Sequence, residues 1–207
     1  MVTIIGNLKG GSGKSTVTFN LALWLIQTGK QVSVYDLDRQ KTLSDAAQVR
    51  QEEEYEPHLA VHLHFNKPRQ SINLDETLID VGAANIEGMK RAISLADRII
   101  VPVLPGQADI WSTQRFLHLV AEELQEKKPK IIMFINRADT HRGIHESDEA
   151  EEVLSTLPGV QILKTRLHQR VVYRRSFSEG LAVFELEPSG KAAREFEEFA
   201  KQLYLSN

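Results

Sequence analysis

Short apolar runs alternate with longer amphipathic stretches along the whole sequence. Runs such as VTIIGN (2–7) and KIIMFIN (130–136) predict strands, because a few consecutive apolar residues bounded by turn residues are typical of buried strands. Stretches such as TVTFNLALWLIQTG (16–29) have the length and spacing of helices. The predicted strands are 2–7, 31–36, 59–65, 76–81, 97–104, 130–136 and 160–167, and the predicted helices are 16–29, 43–54, 85–96, 110–127, 145–157, 171–180 and 190–203.

This alternation of strands and helices predicts a parallel sheet with helices on both of its faces. The chain has 207 residues, of which 42% are hydrophobic, so it can bury one substantial core. No internal repeat and no low-complexity linker divides it. We therefore predict a single domain over residues 1–207, with an α/β fold built on a doubly wound, mostly parallel sheet.

Composition and charge exclude several classes of protein. The chain contains no cysteine, which excludes disulfides, thiolate zinc sites, cysteine nucleophiles and thiolate-held iron–sulfur clusters. Its formal net charge of −3 at pH 7 argues against a protein that is basic all over, although a local basic patch remains open. No apolar run has the length of a membrane span, and residues 2–5 indicate a strand rather than a signal peptide. We expect a soluble, cytoplasmic protein.

One segment has the pattern of a phosphate-binding loop. KGGSGKST (9–16) lies directly between the first predicted strand and the first predicted helix, which is where a glycine-rich loop binds phosphate. Glycines let backbone N–H groups approach phosphate oxygens, and the helix N-terminus adds N–H groups and partial positive charge. Lys14 would reach the β- and γ-phosphates and Ser15 would ligate Mg²⁺. The alternative is a glycine-rich turn without a ligand. The predicted nucleotide-binding residues of this loop are Gly10, Gly11, Ser12, Gly13, Lys14, Ser15 and Thr16.

The loop also carries a second lysine, Lys9, ahead of its glycines, and Leu8 stands where the standard P-loop pattern has a glycine. The pattern K-G-G-x-G-K-[ST] resembles the deviant Walker motif of the ParA/MinD family of P-loop ATPases. In that family the first lysine crosses a dimer interface to the phosphates that the partner subunit binds. The resemblance implies that Lys14 contacts the protein's own ATP and Lys9 that of a second subunit, and that both are catalytic.

The segment VYDLDRQ (34–40) places two carboxylates after the second predicted strand. Carboxylates at the carboxyl ends of parallel strands point into the crevice where such sheets bind ligands. By resemblance this is the switch I segment, in which Asp38 would position the attacking water as a catalytic residue and contact Mg²⁺ through water. Arg39 replaces the usual proline of the family. For Asp36, a structural role at the end of the strand and a functional role remain equally open.

Another predicted strand ends in TLIDVGA (77–83), with Asp80 at its carboxyl end. A carboxylate in this position suits a water molecule of the Mg²⁺ shell. Gly82 would leave room for the γ-phosphate and for a switch II loop. A strand that ends in aspartate is common, so this prediction depends on the glycine loop upstream.

Asn136 and Arg137 follow a later predicted strand, in IIMFINRADT (131–140). This pair is similar to the N-R pair with which MinD-like proteins contact adenine. Asparagine offers a donor and an acceptor to a purine edge, and arginine can stack on its face. The alternative is an asparagine that caps a turn and an arginine in solvent. The segment FELEPSG (184–190) lies where the family has a second nucleobase loop.

A basic stretch, KTRLHQRVVYRR (164–175), contains no acidic residue although the chain is net acidic. Such a patch would neutralise DNA backbone phosphates without reading bases. The partition ATPases that this chain resembles bind chromosomal DNA non-specifically through this region, as ATP dimers. A solvated basic face, or pairing with the many glutamates, is the alternative. The predicted DNA-binding residues are Arg170, Arg174, Arg175, Lys191 and Arg194.

The resemblance covers nearly the whole chain and is greatest to the small ParF-type plasmid-partition ATPases. These lack the N-terminal DNA-reading domain of larger ParA proteins, and because the first predicted strand begins at residue 2 we expect no such domain here. The resemblance implies an ATPase that uses ATP and Mg²⁺, forms a homodimer when ATP is bound, binds DNA non-specifically and is stimulated by a small ParB-like or cargo-adaptor partner. Nucleoid association is implied for the ATP-bound state.

Two other functions remain open. One is a MinD-like membrane-associated positioning ATPase, and the other is a metabolic P-loop phosphotransferase. Membrane binding is disfavoured, because Phe196, Phe199 and Leu203 form an apolar stripe that we expect to face the core and that is flanked by glutamates. The second lysine argues against a monomeric phosphotransferase, which needs no lysine across an interface.

Overall fold

The computed structural model describes residues 1–65, 74–124, 128–141 and 145–205. These residues form eight strands and eight helices, which alternate along most of the chain. The strands are β1 (Val2–Ile5), β2 (Val32–Asp36), β3 (Val61–His62), β4 (Glu76–Asp80), β5 (Arg98–Val103), β6 (Lys130–Ala138), β7 (Val160–Ile162) and β8 (Leu167–His168). The helices are α1 (Lys14–Gln27), α2 (Thr42–Glu52), α3 (Ile86–Leu95), α4 (Gln107–Glu123), α5 (Glu146–Ser155), α6 (Val171–Ser178), α7 (Val183–Leu186) and α8 (Lys191–Tyr204).

The strands pair in the order β3-β2-β4-β1-β5-β6-β7, and β8 pairs with the far end of β6. Every pairing is parallel. In register, Asp80 at the end of β4 lies between Ile5 of β1 and Asp36 of β2. The carboxyl ends of the central strands therefore meet at one edge, where open α/β sheets bind their ligands.

Two hydrophobic clusters cover the two faces of the sheet. Successive strand residues point to opposite faces, and accordingly Ile4 packs in one cluster and Ile5 in the other. One cluster contains the buried faces of α1, α2, α6, α7 and α8, and the other contains those of α3, α4 and α5. This arrangement confirms the predicted α/β fold with a parallel sheet and helices on both faces.

Several predicted elements differ from the structure in length. The predicted strand 59–65 is reduced to the two-residue edge strand β3, and the predicted strand 160–167 is two strands, β7 and β8. The chain leaves β6 after Ile162 and returns at Leu167, with Arg166 between them bound to the acidic helix α5. The predicted loop 184–190 begins with the short helix α7. Residues 125–127 of the fourth predicted helix lie outside the described residues.

The last helix packs into the core, as its pattern predicts. Phe196 and Phe199 are fully buried and Leu203 is nearly so. At the end of α8 the Arg98 guanidinium lies 4.1 Å from the centre of the Tyr204 ring and donates to the Leu203 carbonyl. This apolar stripe is therefore occupied within the protein. In the part of the chain that the structure describes, no helix combines the length and the apolar character of a bilayer span.

A buried ion pair joins α2 to α7. The Arg50 side chain is wholly buried and donates to both carboxylate oxygens of Glu185, at 2.8 and 2.9 Å. It also donates to the carbonyls of Pro57 and Gly180. Glu185 in turn accepts from the Ala182 N–H at the start of α7. Every polar atom of this pair that needs a partner thus has one, which is the condition under which a buried charge is tolerated.

Candidate functional site

The glycine loop lies between β1 and α1, at the ligand-binding edge of the sheet. Gly11 and Gly13 have φ angles of +74° and +90°, which non-glycine residues adopt only at a cost. A Cβ on Gly11 would meet open space, whereas a Cβ on Gly13 would lie 2.3 Å from Asn136 Nδ2. Glycine is therefore required at position 13 both for the backbone angle and for the packing of Asn136.

Backbone and side-chain donors of this loop are free to receive an anion. The first N–H groups of α1 lack intrahelical partners, as in any helix, and no side chain of the described residues caps this end. The Ser12 hydroxyl is buried and has no hydrogen-bond partner among the described residues. Donors without partners at a helix N-terminus are the chemistry that a phosphate satisfies.

The two lysines of the loop lie in different environments. Lys14 is buried, and its Nζ donates to the Lys9 carbonyl at 3.0 Å. Burial lowers the pKa of Lys14, while Asp80 and Asp38 nearby oppose this effect. The Lys9 side chain is 42% exposed, and its Nζ lies 3.4 Å from Asp109 Oδ1 at the start of α4. Lys14 thus points into its own loop, and Lys9 points out of it.

Asp36 has a structural role in this conformation. Its Oδ1 accepts the Asp38 N–H at 3.0 Å, and its Oδ2 accepts both the N–H and the hydroxyl of Ser44, at 3.0 and 2.8 Å. It is 1% exposed. Asp36 therefore fixes the turn that follows β2 and the first turn of α2, which favours the structural interpretation of this residue.

Asp38 lies against Gly82. A Cβ on Gly82 would lie 2.5 Å from both Cγ and Oδ1 of Asp38, so only glycine leaves room for this carboxylate. Asp38 Oδ1 also accepts the Gln40 N–H at 2.9 Å. The neighbouring Lys41 has a φ of +54°, a conformation that is uncommon for a residue with a side chain. In this structure the space beside Gly82 is filled by Asp38, where the sequence led us to expect room for a phosphate.

Asp80 is a carboxylate with a strongly perturbed pKa. It is fully buried, and neither of its carboxylate oxygens has a hydrogen-bond partner among the described residues. Burial raises the pKa of Asp80 to about 7, with Asp36 and Asp38 adding to the rise and Ser15 and Lys14 opposing it. An unpartnered buried carboxylate is costly, so it indicates that something else completes this site.

These residues fit a hydrated divalent cation. The Ser15 hydroxyl, which accepts a 3.2 Å hydrogen bond from Thr42, is close enough to Asp80 to act on its pKa. One hydroxyl and nearby carboxylates are the oxygen ligands that Mg²⁺ takes when phosphates supply the others. Among the described residues, no cluster of three histidine or acidic side chains could hold a metal by itself. A magnesium ion here would therefore need the oxygens of a bound phosphate.

Beside the loop, a cavity of about 380 Å³ extends between the end of β6 and helix α6. Asn136 forms part of its wall and donates through Nδ2 to the Ser12 carbonyl at 2.7 Å, so it connects the cavity to the loop. Arg137 also lines it and has a φ of +54°. Both predicted base-contacting residues therefore lie beside the loop. Gly13, Thr16 and Val17 also line the cavity. The other lining residues lie within 167–178 and not within 184–190, and they include Leu167, His168, Gln169, Tyr173 and Phe177.

The predicted DNA-binding residues are in different states of pairing. Arg170 lines the cavity and forms two hydrogen bonds to Glu195, and Arg175 lies 3.6 Å from Glu179. Arg174, Lys191 and Arg194 are exposed, and within the described ranges no acidic group lies within ion-pair distance of them. The basic stretch is therefore partly neutralised, and these last three residues carry its free charge.

A parallel sheet with a lysine-bearing glycine loop after its central strand, and carboxylates at the ends of the neighbouring strands, defines a P-loop nucleotide-binding protein. Residues 3–183 match the family described as the CobQ/CobB/MinD/ParA nucleotide binding domain. The chain belongs to this family, which confirms the resemblance that the loop pattern indicates.

Two relatives and one solved structure illustrate the range of the family. "Maintenance of carboxysome distribution protein A" of Halothiobacillus neapolitanus is 26% identical over 197 residues, which are 91% of this chain and 89% of that protein. "Protein ParA" of Rhizobium radiobacter is 26% identical over 184 residues, 86% of this chain and 83% of that protein. The septum site-determining protein MinD of Pyrococcus horikoshii, solved with Mg-ADP, shares the fold with a TM-score of 0.70 at 19% identity, over 98% of this chain and 95% of that one.

Proposed function

We propose that this protein is an ATPase of the partition or positioning type, whose ATP-bound form is a dimer that binds DNA. The observation that carries the proposal is the pair of lysines in one loop: Lys14 is buried over its own loop, and Lys9 points away from it with its side chain 42% exposed. A single lysine suffices for the phosphates of one nucleotide, so an outward lysine suits the nucleotide of a second copy. Relatives named for carboxysome distribution and ParA support the positioning class.

The nucleotide is ATP with Mg²⁺ in this proposal. The loop amides and Lys14 hold the phosphates, and Ser15 with water-linked Asp80 and Asp38 holds the metal. When bound, the ion neutralises charge on the phosphates and completes the site around the buried Asp80. Asn136 and Arg137 contact the base from the wall of the neighbouring cavity. The MinD structure with Mg-ADP supports this choice of ligand.

Catalysis would be mainly positioning and electrostatics. The Asp38 carboxylate accepts the Gln40 N–H and packs on Gly82 at the edge of the site, which supports a role for Asp38 in orienting an attacking water. Lys14, and Lys9 of a second copy, would stabilise the negative charge that develops on the phosphoryl oxygens. Hydrolysis then removes the group that both copies contact. A small ParB-like or cargo-adaptor protein would stimulate this step.

DNA contact is assigned to the exposed basic residues on the α6 and α8 side of the sheet. Arg174, Lys191 and Arg194 are free to neutralise backbone phosphates, with Arg175 beside them, whereas Arg170 is held by Glu195. Arg170 and Arg174 both also line the base cavity. Contacts of this kind give binding that does not depend on sequence and falls steeply with salt. We therefore expect Arg170, which is paired with Glu195, to form part of the wall of the base cavity rather than to bind DNA directly.

The test is DNA retention with and without Mg-ATP. Wild-type protein should be retained on random duplex DNA only with Mg-ATP, and less at higher salt. Charge reversal at Lys191 and Arg194, which lie outside the lining of the base cavity, should abolish retention and leave ATP binding intact. The matched control is Arg115→Glu, since Arg115 is an exposed arginine of α4 on the opposite face of the sheet. Retention that is unaffected by the patch reversal, or that needs no nucleotide, would contradict the proposal.

A further inference from the structure

The peptide unit that joins Leu37 to Asp38 is held at both ends. Its N–H, on Asp38, donates to Asp36 Oδ1 at 3.0 Å. Its carbonyl, on Leu37, accepts from Asn85 Nδ2 at 2.8 Å. The Leu37 N–H also donates to the Asp80 carbonyl at 2.8 Å. Since a peptide unit is planar and rigid, fixing both of its polar groups fixes the direction in which the chain enters Asp38.

Asn85 forms this bond while it also caps α3. Its Oδ1 accepts the Gly88 N–H at 3.0 Å, which is an N-cap hydrogen bond. A backbone N–H can only donate, so the oxygen of the amide must face Gly88 and its NH₂ must face Leu37. A Cβ on Gly88 would lie 2.4 Å from Asn85 Nδ2, so the glycine leaves the space that the amide occupies. The two ends of one amide thus serve two different segments.

The same turn also supports the Asp38 carboxylate. The Asn85 N–H donates to the Gly82 carbonyl at 3.0 Å, which closes the turn from Gly82 to Asn85. The Asp38 carboxylate packs directly on Gly82 at the start of that turn. The segment after β4 therefore contacts Asp38 twice, through Gly82 on its carboxylate and through Asn85 on the peptide that precedes it.

From this geometry we infer that Asn85 is a positioning residue for Asp38, and that it ties the segment after β2 to the segment after β4. Capping α3 requires only an acceptor, which serine, aspartate or asparagine supplies about equally well. Asparagine carries its donor on an atom separate from its acceptor, so its Nδ2 reaches the Leu37 carbonyl while its Oδ1 stays on the Gly88 N–H. The inference rests on the proposed function for the role of Asp38 in hydrolysis, but the tie itself is a property of the nucleotide-free protein.

Asn85→Asp separates the two roles of this side chain, which are the cap of α3 and the hydrogen bond to the Leu37 carbonyl. The aspartate keeps an acceptor for the Gly88 N–H, whereas its other oxygen would face the Leu37 carbonyl and cannot donate to it. Asn85→Ala, which removes both bonds, is the matched comparison. Amide hydrogen exchange of the nucleotide-free variants, resolved by residue, measures the tie directly, and steady-state ATP turnover measures its consequence.

In Asn85→Asp we expect the amides of residues 38–41 to exchange about tenfold faster, while those of residues 88–90 keep wild-type rates. Turnover should show a kcat about tenfold lower with KM for ATP unchanged within about twofold, because positioning and not binding is lost. In Asn85→Ala both segments should exchange faster.

Wild-type exchange at residues 38–41 in Asn85→Asp would overturn the inference, and so would acceleration spread equally over both segments. If the wild-type protein does not hydrolyse ATP, the proposed function fails, and the exchange rates still decide the role of Asn85. If exchange rises as expected but kcat is unchanged, the tie exists and the inferred positioning of Asp38 is wrong.

Discussion

Gly13→Ala tests how the loop and the base cavity are connected. Gly13 has a φ of +90°, and a Cβ at this position would lie 2.3 Å from Asn136 Nδ2. That contact is far inside van der Waals distance, so Asn136 would have to move. Its movement would break the 2.7 Å hydrogen bond from Asn136 Nδ2 to the Ser12 carbonyl. One methyl group is therefore expected to disturb both the loop and the cavity wall.

The magnitude follows from two separate costs. Placing an L-residue in the left-handed region costs about 1–2 kcal/mol. Breaking a buried hydrogen bond and leaving its groups without partners costs about 1–3 kcal/mol more. We expect Gly13→Ala to lower the free energy of unfolding by about 3 kcal/mol in total. Because the cavity wall moves, the affinity for ATP should also fall, by at least tenfold.

Gly29→Ala is the matched control. Gly29 has a similar φ of +82°, but a Cβ there would meet no atom of the described ranges within 4 Å. It should therefore show only the backbone cost of about 1–2 kcal/mol and bind ATP normally. Urea denaturation of both variants, with ATP titration by calorimetry, makes the comparison. Equal losses of stability in the two variants, with normal ATP affinity for Gly13→Ala, would refute the connection between Gly13 and Asn136.

Two further perturbations test the buried charges. Burial raises the pKa of Asp80 to about 7, so the folded protein holds the proton of this carboxyl more tightly than the unfolded chain does. The protonated Asp80 therefore stabilises the fold at low pH, and this stabilisation is lost as the pH rises toward 7. Between pH 6 and pH 8, without magnesium or nucleotide, the wild-type free energy of unfolding should fall by about 1.4 kcal/mol because of Asp80, and Asp80→Asn should not show this part of the fall in urea denaturation. If the free energy of unfolding of Asp80→Asn depends on pH as that of the wild type does, the raised pKa of Asp80 is contradicted. Arg50→Met leaves Glu185 with its charge largely buried, so it should cost about 3–5 kcal/mol of stability and Glu185→Gln in the same chain should restore part of it. A loss below about 1 kcal/mol in Arg50→Met would show that the pair is not a structural tie.

The glycine loop and the sheet could be predicted from the sequence because their signals are local. KGGSGKST is continuous, and the runs that form β1, β4, β5 and β6 are long and strongly apolar. The bounds of two strands differ from the prediction. The edge strand β3 has only two residues, and the predicted strand 160–167 is interrupted around Arg166, which is bound to α5. No nearby residue signals that break.

The environment of each side chain could not be predicted, because it depends on distant segments. Much of the wall of the base cavity comes from residues 167–178, which the pairing of β8 with β6 brings beside Asn136. The sequence predicts that Arg170 binds DNA, with pairing to one of the glutamates as an alternative, and its partner Glu195 lies 25 positions away on another helix. Similarly, the contact of Asp38 with Gly82 and the bond from Asn85 to Leu37 cross between neighbouring strands of the sheet. Patterns of residue type do not encode such pairs.

The proposed function depends most on Lys9 contacting the nucleotide of a second copy. Light scattering with a non-hydrolysable ATP analogue and Mg²⁺ tests this contact most directly. Wild-type protein should double in mass when the analogue binds. Lys9→Ala should bind the analogue with unchanged affinity and stay a monomer, whereas Lys30→Ala, which changes an exposed lysine far from the loop, should dimerise as the wild type does. A Lys9→Ala protein that dimerises normally would contradict the account, and so would a wild-type protein that remains a monomer with the analogue bound.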